Sequence, residues 1–208
     1  MSWYDTFAEF YEGSVERVYA RYRASIAAAA CLSPGGAVLD LPVGTGPNLP
    51  HLAAYVGAAG VIVGVDLSEG MLRRATLRVL RAPRPRAVLL AADARTISPA
   101  LLAELGVAAL DAVVVSLGLT VFPAWESVFA ATFDLLRPGG RYVIFDVHQD
   151  RWVPQSTIVS LVAGADMRRR VWEPLEASAD GFALQWLPGS RYVHGGRPFL
   201  ASGVRRGG

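Results

Sequence analysis

Lysine is absent from the 208 residues: all 20 basic side chains are arginine, and against 18 acidic ones they leave a net charge of +2. So small an excess is no electrostatic footprint for a nucleic-acid backbone, and the arginine bias points to GC-rich coding instead. Cysteine occurs once, at Cys31, which excludes an internal disulfide and a multi-cysteine zinc site. The three histidines, His51, His148 and His194, share no metal-ligand spacing, so no metal is expected. No apolar stretch reaches the roughly 18 residues of a membrane-spanning helix, because Arg, Asp, Pro or Gly interrupts each one. The opening MSWYDTFAEFYEG puts acidic residues where a secretion signal carries a basic region and an unbroken apolar run, so the cytoplasm is the expected compartment.

What is present is apolar bulk. Hydrophobic residues make up 52% of the chain and charged ones 18%, enough buried surface to offset the entropy of ordering one domain. An aromatic-rich helical lead over about 2–31 ends at the turn Ser33-Pro34-Gly35-Gly36. Short, continuously apolar runs then fall at 37–41, 61–65, 87–92, 112–116 and 141–146, as parallel strands covered on both faces require. Helical stretches lie between them near 49–56, 71–80, 99–105 and 125–136. This is the βαβ rhythm of a doubly wound α/β sheet. After Asp146 the pattern predicts helices over 154–163 and 168–177 and two late strands, 182–187 and 199–204, as antiparallel neighbours at a sheet edge. The expected fold is a Rossmann-like, mostly parallel seven-stranded sheet. A helical cap covers 1–31, a ligand-binding core 34–150, and helices with a final hairpin 151–208.

Four of the first five strands end on an acid: Asp40, Asp66, Asp93 and Asp146. In an open parallel sheet these ends line the ligand crevice. After Asp40 comes Leu41-Pro42-Val43-Gly44-Thr45-Gly46-Pro47-Asn48, a glycine-bearing turn that lets backbone approach a ligand and feeds a helix N-terminus with free N–H groups. Asp66, closing the second strand in VIVGVDLSEGML, has the position and chemistry to accept both hydroxyls of a ribose; helix capping is its alternative use. A dinucleotide fingerprint is incomplete, since Leu49 stands where GxGxxG has its third glycine. Ser116 lacks a GxSxG elbow, which sets a hydrolase triad aside.

The ordered motifs VLDLPVGTGPNL, VGVDLSEGML, AADAR and LLRPGGRYVIFD resemble those of class I S-adenosylmethionine (AdoMet)-dependent methyltransferases across about 34–150. GTGPNLP with SLGLTVFPAW and FDVHQD is similar to the branch containing quinone methyltransferases and phospholipid or betaine-lipid N-methyltransferases. The resemblance implies AdoMet as cofactor. Asp40, Gly44 and Gly46 would surround its methionine moiety, with Pro42 and Asn48 in the same loop also binding. Asp66 would hold the ribose, Leu67 and Met71 flank the adenine, Asp93 and Ala94 meet the adenine edge, and Ser116 and Leu117 lie beside the sulfonium. Pro42 departs from the family, which usually has glycine there; it removes an N–H and fixes φ.

The aromatic- and arginine-bearing segments 3–22 and 152–172 suit a small, partly apolar acceptor carrying an amine or a hydroxyl, and the resemblance implies N-methylation. The acceptor would enter between the aromatic lead and the helices after Asp150, and a lipid-like acceptor would add peripheral membrane contact. His148 is the candidate base, because an imidazole titrates near neutrality; Tyr4, Tyr11 and Asp150 are candidate substrate residues. His51 and His194 read as packing or surface residues. SLGL lacks the Asp/Asn-Pro-Pro-aromatic signature of DNA-amine and glutamine methyltransferases, so nucleic acid is not an expected partner. O- or C-methylation of a phenolic, quinone or natural-product acceptor, a non-catalytic AdoMet-binding module and a nicotinamide-dependent oxidoreductase are the alternative functions.

Overall fold

A computed structural model describes residues 16–81 and 85–207. The helical lead is seen from Glu16 and ends in helix α1, Arg23–Ala29. Strand and helix then alternate: β1 Ala37–Leu41, α2 Leu49–Val56, β2 Val61–Asp66, α3 Glu69–Arg81, β3 Arg86–Ala91, α4 Pro99–Glu104, β4 Leu110–Ser116, α5 Trp125–Phe133 and β5 Leu136–His148. Local chemistry sets several ends. Pro50 falls in the first turn of α2, where its missing N–H costs nothing, and Gly57 closes that helix at φ 63°. The Ser98 side chain accepts from Leu101 N to start α4.

The remaining elements are α6 Pro154–Ala163, α7 Glu173–Ser178, β6 Ala179–Trp186, α8 Arg191–His194 and β7 Arg197–Arg205. The helix expected over 168–177 starts only at Glu173. Asp166 ties the preceding residues into turns by bonding Arg168 N and the Arg168 guanidinium, and Pro174 then opens α7. α8 is an element the hairpin reading did not contain.

The seven strands form one sheet in the order β3-β2-β1-β4-β5-β7-β6. β1 to β5 pair in parallel, β7 runs antiparallel to both β5 and β6, and β6 is outermost. Strand order reverses between β1 and β4, the switch point at which a crevice opens beyond the carboxyl ends. Because side chains alternate along a strand, the sheet has two buried faces. Leu39, Leu41, Val113, Val115, Tyr142 and Ile144 pack on one, with Phe129, Trp172 and Phe199. Val38, Ala112, Val114, Val143 and Phe145 pack on the other, under Tyr19, Tyr22, Ile26 and Leu52. The N-terminal segment therefore covers the second face. Among the described residues no helix is long and apolar enough to cross a membrane.

Candidate functional site

Asp40 and Ser116 end neighbouring strands on the face that the N-terminal segment covers, and Asn48 sits between them. Its Nδ2 donates to Asp40 Oδ1 at 2.8 Å and to Ser116 Oγ at 3.1 Å, while its Oδ1 accepts from Arg23 Nη1 at 3.0 Å. Arginine only donates and a carboxylate only accepts, so these partners fix the amide's orientation. All four side chains are buried. Asp40 is fully buried and its Oδ2 has no hydrogen-bond partner among the described residues. Burial pushes the Asp40 pKa up to about 7, opposed by the Asn48 bond and the Arg23 charge and reinforced by the charge of Asp66.

The glycine turn lies directly above. Gly44 adopts φ 55° with open space where a Cβ would stand, and Gly46 adopts φ 81° with Leu49 Cδ1 only 2.6 Å from its would-be Cβ. The φ at 44 favours glycine, which leaves the backbone bare there, and the Leu49 contact at 46 demands it, since a side chain would displace Leu49 from the turn. Asp66 fastens this turn: Oδ2 accepts from Gly44 N and Oδ1 from Ser68 N, each at 2.9 Å. Burial raises its pKa against those backbone bonds. The capping use is thus present, with backbone N–H groups of Gly44, Ser68 and Leu67 on the carboxylate. Ser68 Oγ accepts from Met71 N to cap α3; Met71 is buried and Leu67 is exposed beside it. Glu16 locks the N-terminal segment to the turn through Arg78, which also donates to Thr45 O.

Other expected site residues are committed elsewhere. Asp93 caps a short 3-10 turn and is gripped by Arg95, which lowers its pKa; Ala94 is buried next to it. Leu117 takes φ 56°, an unusual conformation for a branched residue, and its N–H bonds Phe145 O. Asp146 is turned inward, not displayed at the rim: it accepts from Thr120 N, Thr120 Oγ1 and Val147 N, pinning the loop after β4. Burial pushes its pKa up to about 6 despite those bonds.

His148 shares strand parity with Asp146, so its ring lies on the face away from the N-terminal segment, 5.0 Å from Trp172 and 6.2 Å from Trp186. Asp150 forms a two-pronged ion pair with Arg191 at 2.9 and 2.7 Å, which lowers its pKa and ties α8 to the end of β5. Tyr4 and Tyr11 lie outside the described residues.

Arg23, Tyr22 and His194 had no motif to mark them, and the structure puts all three on the face that the N-terminal segment covers. His194 is buried, with its ring stacked 5.2 Å from Tyr19.

Pro42 follows a cis peptide bond and packs on Gly118, whose would-be Cβ lies 2.5 Å from Pro42 Cδ and 2.9 Å from Phe122 Cε2. Gly118→Ala is therefore expected to lose about 1–3 kcal/mol by overpacking. Pro42→Gly should recover part of that loss, because it removes one of the two obstructing groups. Denaturant unfolding of both single variants and the double variant checks this coupling.

The methyltransferase domain family matches residues 38–140, the span from β1 to the turn within β5. The chain carries a methyltransferase domain. Over 190 residues it is 25% identical to the ubiquinone/menaquinone biosynthesis C-methyltransferase UbiE of Burkholderia mallei, covering 89% of this chain and 63% of that protein. The chain thus spans less than two thirds of that relative's length. Among solved structures, Haemonchus contortus phosphoethanolamine N-methyltransferase 2, bound to phosphomonomethylethanolamine and S-adenosylhomocysteine, aligns with TM-score 0.72 at 14% identity, over 98% of this chain and 58% of that one. The Bacillus subtilis YcgJ protein aligns with TM-score 0.69 at 13% identity, over 90% of this chain and all of that one. These two likenesses concern the fold.

The residues of the methyltransferase domain suit AdoMet. The orphaned, buried Asp40 Oδ2 is an acceptor waiting for a cationic donor, and an amino-acid ammonium is such a donor. The bare backbone at Gly44 gives that ligand room to approach.

Proposed function

We propose that this protein transfers the methyl group of AdoMet to a small, partly apolar acceptor carrying a hydroxyl or an amine. The observation that carries the reading is the unpartnered Oδ2 of fully buried Asp40, set beneath the Gly44–Gly46 turn at the sheet's switch point. A buried carboxylate oxygen left without a donor is costly, and its retention makes sense where a ligand completes it.

AdoMet supplies an activated methyl on a sulfonium, so the chain's task is to hold, align and exclude water. Asp40 would take the ammonium of the methionine moiety, with Asn48 and Arg23 fixing the carboxylate in place. Asp66 would accept from the ribose hydroxyls while it keeps the glycine turn in register. Leu67 and Met71 would flank the adenine, with Asp93 and Ala94 beside its edge. Ser116 and Leu117, held by Asn48 and by Phe145 O, close the end of β4 where the methyl would be delivered.

The acceptor's apolar character is supported by exposed side chains on the elements after Asp150: Trp152, Ile158 and Leu161 on and before α6, Tyr192 and Val193 on α8. Their arrangement suits a greasy acceptor, and with a lipid-like one these side chains would rest against a membrane surface. A cytoplasmic small-molecule enzyme without nucleic-acid substrates fits the nearly balanced charge.

Incubating the protein with AdoMet and a panel of amines, phenols, hydroquinones and lipid amines, with S-adenosylhomocysteine release as the readout, tests the reading. Product release that depends on one class of acceptor is expected. Release only with RNA or DNA would overturn it.

A further inference from the structure

We infer that His194 is the proton acceptor for the methyl acceptor, and that this acceptor presents an acidic aromatic hydroxyl. The inference rests on the methyl-transfer reading and names the substrate class of that same site.

Its basis is a chain of hydrogen bonds whose directions can be worked out. Pro188 O can only accept, and Tyr22 Oη donates its single proton to it at 2.6 Å; the Arg21 guanidinium donates to the same carbonyl. Tyr22 Oη also lies 3.2 Å from His194 Nε2. With its proton already given away, the phenol oxygen must accept there, so Nε2 carries the hydrogen. His194 is thereby held in one tautomer, with Nδ1 as a bare lone pair. That Nδ1 is buried and has no hydrogen-bond partner among the described residues, in a side chain only 4% exposed. Burial and the Arg21 charge lower the imidazole's pKa, which keeps it neutral and ready to accept. The other titratable or charged groups around it are Tyr19 and Tyr22 from the N-terminal segment, and Arg191 on its own helix with Asp150 bound to it.

Place and walls identify the substrate. Ser116 pairs with Phe145 across β4 and β5, and both side chains share the face of Asp40. Tyr22 packs on Phe145 at 5.2 Å, Tyr19 meets Phe145 edge-on at 5.8 Å, and Tyr19 stacks on His194. From Asp40 hydrogen bonds run through Asn48 to Ser116, whose strand partner Phe145 packs on Tyr19 and Tyr22, the two rings that meet His194. Aromatic walls favour a flat ring, and the cation of Arg21 disfavours a protonated amine.

In the step, the acceptor O–H bond breaks and its proton passes to Nδ1. The electron pair released on the acceptor, at oxygen or at a ring carbon conjugated with it, forms the bond to the methyl carbon. The methyl–sulfur bond breaks with its electrons left on sulfur, giving a neutral thioether. His194 is left as imidazolium and returns the proton to solvent.

The test uses the full chain saturated with S-adenosylhomocysteine, and 1-naphthol as the probe. Nitrogen-15 spectra of the imidazoles should show His194 protonated at Nε2 and bare at Nδ1, with the Nδ1 resonance moving as naphthol is added. Tyr22→Phe should release the tautomer, giving a mixture, which a purely packing role for His194 would not produce. Where naphthol is methylated, His194→Ala should cut turnover about 100-fold or more while S-adenosylhomocysteine affinity is kept. A proton on Nδ1, or an Nδ1 resonance unmoved by saturating naphthol, overturns the inference. Failure of S-adenosylhomocysteine itself to bind overturns the methyl-transfer reading instead.

Discussion

Asp40→Asn is expected to leave the fold at least as stable as the native chain and to weaken AdoMet binding by about 2–4 kcal/mol, roughly 30- to 800-fold. The two effects have opposite signs because they come from different states. In the free protein the variant removes a fully buried carboxylate with one unsatisfied oxygen, and its amide oxygen still accepts from Asn48 Nδ2. In the complex it turns an N–H toward the ligand's ammonium where a lone pair was needed.

The pH dependence follows from the same group. Asp40 has its pKa raised from 3.8 to about 7 in the folded chain, so between those values the native state binds more protons than the unfolded one. Stability therefore falls as pH rises from about 4 to 7, and Asp146, pushed up to about 6, adds a decline of the same sign. Cofactor affinity moves the other way: an ammonium prefers the ionised carboxylate, so binding should tighten as pH rises through about 7. Asp40→Asn should flatten that profile, as calorimetry at several pH values would show.

Arg23→Met is expected to be the most destabilising single change at the site, by about 3–5 kcal/mol, or roughly 10 °C in melting temperature for a domain of this size. Arg23 is buried, donates to Asn48 Oδ1 and lowers the Asp40 pKa through its charge. Without it the cluster keeps a buried carboxylate and loses its cation, and the Asp40 pKa should rise further. Adding Asp40→Asn to Arg23→Met should recover part of the loss, since the uncompensated charge is then gone. A double-mutant cycle by thermal or denaturant unfolding measures this, and strictly additive losses would show that the two residues are not coupled.

The strands were legible because parallel strands buried on both faces write themselves as short continuous apolar runs, as VIVGVD and LDAVVVS do. The glycine turn was legible because glycine adopts the positive φ values found at positions 44 and 46 without the steric cost other residues meet there. Element ends were less so: the break at Asp166–Arg170 comes from side chain to backbone bonds in a stretch whose composition still looks helical. The acceptor side was hidden for a different reason. Tyr22 meets Pro188 and His194 across more than 160 residues of chain, and no local pattern encodes such a pairing. The parity of β5 tells that Asp146 and His148 share a face opposite Phe145, yet not which face the N-terminal segment covers. That missing fact hid that the ring of His148 lies away from the N-terminal segment, and Arg23, one residue beyond Tyr22, carried no local signal.

Calorimetric titration of the native protein with S-adenosylhomocysteine at pH 6 and pH 8, with NAD as the comparison ligand, tests the central claim most directly. The predicted result is micromolar binding that is tighter at pH 8 than at pH 6, with no heat from NAD. Binding of NAD without S-adenosylhomocysteine, or S-adenosylhomocysteine affinity that weakens as pH rises, would contradict it.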